Sequence, residues 1–168
     1  FDHMKYVMTQ DQIVDIEGTI SNSYTAFDGT YNNDPIVLSE NFLMLEHTDG
    51  LNYLNLELRK NEKIYRYRKF SLDILGGVGV GMMVPRTDAT LLGKRRHDEF
   101  HIAGYGLDAL VGATLHLGKT LFIQTELKVG YTNMANIRTT YSSNDKASQS
   151  FFFSQQIFVL GAQFGLYN

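Results

Sequence analysis

Cysteine and tryptophan are both absent from this chain, and proline occurs only 2 times. Without cysteine there is no disulfide framework and no thiolate metal site. The same absence suits a chain that crosses an oxidising compartment. No apolar run approaches the ~20 residues that a membrane-spanning helix needs. Charge of one sign is lacking too: 15 basic and 18 acidic residues leave a formal charge of −3 with no long run of either sign. That balance predicts no nucleic-acid partner. No signal peptide is visible and the chain begins at Phe1 rather than Met, which reads as a mature product or a fragment. The 168 residues suffice for one domain with a full core or for one small barrel, so a single domain over 1–168 is expected.

What the chain does contain is 15 Gly, 10 Tyr and 11 Phe, set in long stretches of period two. From Ala103 to Leu117, alternate positions are apolar or aromatic (Ala103, Tyr105, Leu107, Ala109, Val111, Ala113, Leu115, Leu117). The intervening ones (Gly104, Gly106, Asp108, Leu110, Gly112, Thr114, His116) are small or polar apart from Leu110. Such a period means strand. It resumes at Leu121, Ile123, Thr125, Leu127, Val129 and Tyr131 against Phe122, Gln124, Glu126, Lys128, Gly130 and Thr132. Phe70 to Val84, Leu54 to Arg59 and Phe158 to Tyr167 repeat the pattern.

This period disposes of two motifs. Ala113 to Thr120 (ATLHLGKT) fits a relaxed phosphate-loop pattern. A phosphate loop, however, runs from a strand into a helix whose N-terminus faces the phosphates. Here a second strand follows, so residues 117–120 read as a tight hairpin turn, and no nucleotide is expected. GGVGVG at 76–81 fails the G-x-G-x-x-G spacing of a dinucleotide fingerprint. Its glycines read as room for large neighbours inside a narrow barrel.

Alternation alone does not say which face is inside. Three features favour an apolar exterior. The polar faces carry Asp73, Asp108, Glu126 and Lys128 among glycines, as a packed polar interior would. The strands at 66–85 and 120–140 are far longer than the usual ~5–6 residues. Turns at 60–63 and 117–120 are short, whereas 86–99 and 141–150 are long and polar. Outer-membrane barrels pair short periplasmic turns with long extracellular loops, and hydrocarbon demands closure.

On these residues the chain resembles the small outer-membrane barrels of Gram-negative bacteria, the OmpA/OmpX-like group. The most specific feature is Gly161-Ala162-Gln163-Phe164-Gly165-Leu166, which looks like that class's C-terminal signal strand. It departs in Leu160 and in running on to Asn168. GYGLDALVGATLHL and FIQTELKVGYTNM are also similar to barrels of the Bacteroidota. The resemblance implies an all-β, antiparallel, up-and-down transmembrane barrel of eight strands, located in the outer membrane. Its partners would be membrane lipid, lipopolysaccharide and, through the C-terminal strand, the barrel-assembly machinery. It implies no cofactor and no activity.

Counting back from a periplasmic C-terminus gives strands at 151–167, 120–140, 100–117, 66–85, 47–60 and Phe1 to Met8. Residues 10–46 then form an extracellular excursion, with IVDIEGTI (13–20) and IVLSENFLML (36–45) as a hairpin. The rival count makes those pieces membrane strands and places 21–35 in the periplasm. Six strands where eight are usual predicts about two N-terminal strands beyond this chain.

Glu57, Arg59, Asp73, Asp108, Glu126 and Lys128 are expected to form a polar network in the lumen, structural rather than conducting. Lys94, Arg95 and Arg96, with His97, form a basic patch that could meet lipopolysaccharide phosphates, or be a plain solvated loop. His97-Asp98-Glu99-Phe100-His101 lacks the Glu after its first His that a zincin needs, so it reads as a solvated loop edge without metal. Lipid A-modifying barrels use Ser, His and acid residues at the lipid face. Here His101 lies on the lipid-facing register near the external edge, where Ser150 and Ser154 could approach across a loop, and no enzyme motif accompanies them. Three readings result: a non-enzymatic barrel acting through extracellular loops 10–46, 86–99 and 141–150, by adhesion, envelope integrity or ligand contact; a lipid A-modifying enzyme; and a soluble lipocalin-like barrel with Leu107, Val111 and Leu127 inside.

Overall fold

The computed structural model describes residues 2–4, 12–20 and 29–164. Among them the regular structure is all β. The strands are β1 (Asp2–Met4), β2 (Ile13–Ile20), β3 (Gly29–Val37), β4 (Leu43–His47), β5 (Leu51–Tyr67) and β6 (Phe70–Met83). They continue as β7 (Arg86–Leu91), β8 (Lys94–Phe100), β9 (Gly104–Leu117), β10 (Leu121–Arg138) and β11 (Lys146–Ala162). One sheet has the order β1-β5-β6-β9-β10-β11-β2-β3 and a second the order β4-β7-β8. The pairings are antiparallel.

The six strands counted back from the C-terminus correspond to β1, β5, β6, β9, β10 and β11, and they neighbour one another in chain order, as an up-and-down sheet requires. Residues 1 and 5–8 of the first and 165–167 of the last lie outside the described residues. Closure is not found: among the described residues the larger sheet ends on β1 and β3, and β1 reaches only Leu51, Asn52 and Tyr53 of β5.

Four local expectations need correction. Residues 60–63 are strand, and the hairpin turns at Arg68–Lys69. Ile64, Tyr65 and Tyr67 carry β-propensity past the charges, and the turn accepts a left-handed Arg68 (φ 52°) at a cost of roughly 1–2 kcal/mol. Residues 86–99 are not a loop but the β7–β8 hairpin, turning at Leu92 and Gly93, both at positive φ. Thr87, Ala89 and Leu91 supply its buried face, which the many charges on the other face conceal in the sequence. β2 matches 13–20 but pairs with Gly29–Val37, so that only Ile36 and Val37 of the expected partner 36–45 meet it, and Leu43–His47 joins β7 instead. Residues 146–150 belong to β11, not to a loop.

The chain divides into two compact units. The first comprises Phe1–Asn55, Gly81–Gly106 and Thr132–Phe151. Its core has ordinary polarity, with Ile16, Leu43, Leu45, Tyr53, Met83, Met134 and Ile137 buried. Each such side chain contributes about 1.5–3 kcal/mol on leaving water. The second comprises Leu56–Val80, Leu107–Tyr131 and Phe152–Asn168. It holds parts of β5, β6, β9, β10 and β11, and there the polarity is reversed.

Candidate functional site

In the second unit the aliphatic face points outward. Leu107, Val111, Leu127 and Phe158 are 54%, 61%, 43% and 76% exposed. The alternate positions are covered: Asp108, Glu126 and Lys128 are 6%, 3% and 2% exposed. Leu75 and Leu110, apolar residues on that polar face, are buried with them. Exposed Leu, Val, Ile and Phe thus run over five strands, and a contiguous apolar face marks a surface that meets something other than water.

The covered charges are matched. Lys128 Nζ lies 2.6 Å from Glu57 Oε1, and Arg59 bridges Glu57 at 2.6 Å and Glu126 at 2.9 Å. Gln124 donates a further short hydrogen bond to Glu126. Two cations thus neutralise two carboxylates, which is what lets buried ions persist. The same contacts fix the curvature of this unit. β5 and β10 stand three places apart in the strand order, about 14 Å across a flat sheet. Direct contact between Glu57 and Lys128 across that span fits a sheet curved toward its charged face.

Glycine makes room for them. A Cβ on Gly79 would stand 2.5 Å from the Asp108 carboxylate, and one on Gly112 would stand 2.5 Å from the Thr125 carbonyl. The expected network therefore assembles around Glu57, Arg59, Glu126 and Lys128. Asp73 is separate, pairing at 3.2 Å with His116, a residue not singled out from sequence. Asp108 occupies the space left by Gly79. On the apolar face a polar pair is satisfied internally, Gln156 donating to Thr125 Oγ1 at 2.9 Å.

The first unit gathers a second set of polar groups on the β4-β7-β8 sheet. Arg95 of the expected basic patch is committed to Asp88 and Asp98, each at 2.6 Å, while Lys94 and Arg96 are exposed. Arg86 bridges Asp49 and Asp98 at 3.0 Å. His97 is not on a solvated loop edge: it is 5% exposed and donates from Nδ1 to the Thr87 carbonyl at 2.8 Å. His47, also buried, meets the Thr87 hydroxyl at 3.0 Å, and the His97 and His101 rings stand edge to face at 5.2 Å. His47 is pushed down to about 4, first by burial and then by the nearby charge of His101. Burial is likewise the largest influence holding His101 below its ordinary value. The HDEFH run marks His97 and His101 in the sequence, whereas His47 lies 50 residues before His97 and is brought to them by β-pairing.

His101 has both ring nitrogens occupied by backbone, Nδ1 against the Glu99 carbonyl and Nε2 accepting from the Arg138 amide, each at 3.3 Å. Among the described residues no hydrogen bond joins it to Ser150, and no cluster of three or more His, Asp or Glu residues has metal-binding geometry. No protein-family model matches this chain, and neither the curated proteins nor the solved structures gave a match.

Proposed function

We propose that this chain is a non-enzymatic transmembrane β-barrel protein of a Gram-negative outer membrane. The reading rests on one observation: aliphatic and aromatic side chains cover the outer face of the second unit, while Glu57, Glu126 and Lys128 are held in mutual contact on the inner one. Hydrocarbon is the solvent that makes this arrangement favourable, since each exposed aliphatic group gains there what it would lose in water. A lipocalin-like barrel would instead put Leu107, Val111 and Leu127 inside, away from the surface where they stand. Hydrocarbon also tolerates no open sheet edge, so the β5 and β11 edges of this unit are closed in the working protein. The protein acts through segments 10–46, 86–99 and 141–150 by adhesion, envelope support or ligand contact. The ordered hairpins β2–β3 and β7–β8 support this, because recognition surfaces work best on rigid elements.

Dilution from denaturant into buffer, detergent micelles or lipid vesicles, followed by far-UV circular dichroism, tests the membrane reading. A β-signal is expected only with micelles or vesicles. A folded, detergent-free monomer in buffer would overturn it.

A further inference from the structure

Two hairpin turns of the second unit, Arg68–Lys69 and Gly118–Thr120, are tied together where the Gly118 amide donates to the Lys69 carbonyl at 2.7 Å. Beside them opens a cavity of about 750 Å³ whose cationic lining is Lys63, Arg66, Arg68, Lys69 and Lys119. The one carboxylate in its wall, Asp73, meets His116 through Oδ2 at 3.2 Å. Other cations of this unit are matched, Lys60 by Glu62, Arg59 by Glu57 and Glu126, and Lys128 by Glu57. Among the described residues, none of the five around the cavity meets a carboxylate, and Arg68 instead lies over the Tyr67 ring at 5.3 Å.

Five like charges gathered at two turns make a strong positive potential that an anion must balance. The flanking residues Ile64, Tyr65, Tyr67, Phe70 and Phe164 are exposed. Tyrosines among apolar residues and cations suit the boundary between hydrocarbon and headgroups. Guanidinium groups grip phosphate oxygens in pairs, and ammonium groups add point charge.

We propose that this end of the second unit docks the phosphodiester headgroups of net-anionic membrane lipids in the cavity lined by Lys63, Arg66, Arg68, Lys69 and Lys119. The assignment rests on the reading that this unit's apolar face meets lipid.

The full chain, reconstituted in phosphatidylcholine vesicles with and without phosphatidylglycerol, is probed with trace spin-labelled lipid of each headgroup. The protein is expected to restrict phosphatidylglycerol about three-fold more than phosphatidylcholine at low salt, and to approach parity in molar salt. The combined variant Lys63→Gln, Arg66→Gln, Arg68→Gln, Lys69→Gln, Lys119→Gln is expected to lose the preference, and Lys94→Gln with Arg96→Gln to keep it. If the combined variant does not fold, Arg66→Gln and Lys119→Gln alone decide, each lowering the ratio. Parity in the unaltered protein, or a preference that survives these variants, overturns the proposal alone. Complete competition by millimolar glycerol phosphate would assign the cavity to a soluble phosphate ester and overturn the lipid assignment. No restricted lipid of either kind would overturn the membrane reading and this proposal together.

Discussion

Lys128 is the most committed cation of the second unit, its side chain 3% exposed and its ammonium 2.6 Å from Glu57. Replacing it by methionine leaves a buried carboxylate short of its partner, a loss of about 3–5 kcal/mol. Adding Glu57→Gln removes that stranded charge and is expected to restore part of the loss. Urea unfolding from vesicles measures both. Arg95 offers the contrast: its two carboxylates are close, but its side chain is 59% exposed. Arg95→Gln is expected to leave unfolding in the same assay nearly unchanged. Gly112→Ala would place a methyl group against the Thr125 carbonyl, which cannot swing aside as a side chain can. It is expected to cost about 1–3 kcal/mol. The role of glycine as room for large neighbours was legible in the sequence. Which charges would touch was not, because Glu57 and Lys128 meet only through the rolling of strands far apart in the chain.

The β4-β7-β8 sheet carries the pH dependence. His47 is held neutral when folded, at about 4 against 6.5 for an unperturbed histidine, so the unfolded state binds protons more readily. This contribution is therefore complete above about pH 6.5, is lost as pH falls toward 4 and levels off below, amounting to about 3 kcal/mol. Hydrogen exchange of the β4, β7 and β8 amides should show protection falling between pH 6.5 and 4.5, with His47→Gln flattening the slope. Unchanged protection across that interval would contradict the assignment. This sheet was the least legible element. Charges at Arg86, Asp88, Arg95, Arg96 and Asp98 gave 86–99 the look of a loop, while the alternation of Thr87, Ala89 and Leu91 was too short to stand out. β9 and β10 were legible as strands, expected at 100–117 and 120–140 and found at Gly104–Leu117 and Leu121–Arg138, because long alternation from Ala103 to Leu117 and from Leu121 to Thr132 excludes helix.

For the molecule as a whole, the sequence carried two symmetric possibilities for its alternating faces, and only covering or exposure of particular side chains separates them. Glycine density and mid-strand charge pointed to the arrangement found in the second unit. The ordinary apolar core of the first unit was not anticipated, since its strands share the same period and differ only in which partners bury them. The central claim is that the outward aliphatic face of the second unit lies in hydrocarbon. Because the chain contains no tryptophan, Leu127→Trp places a single reporter on that face without background. In vesicles containing lipids brominated along the acyl chain, its emission should shift to the blue and be strongly quenched. Emission at the wavelength of a water-exposed indole, untouched by the brominated chains, would contradict the account.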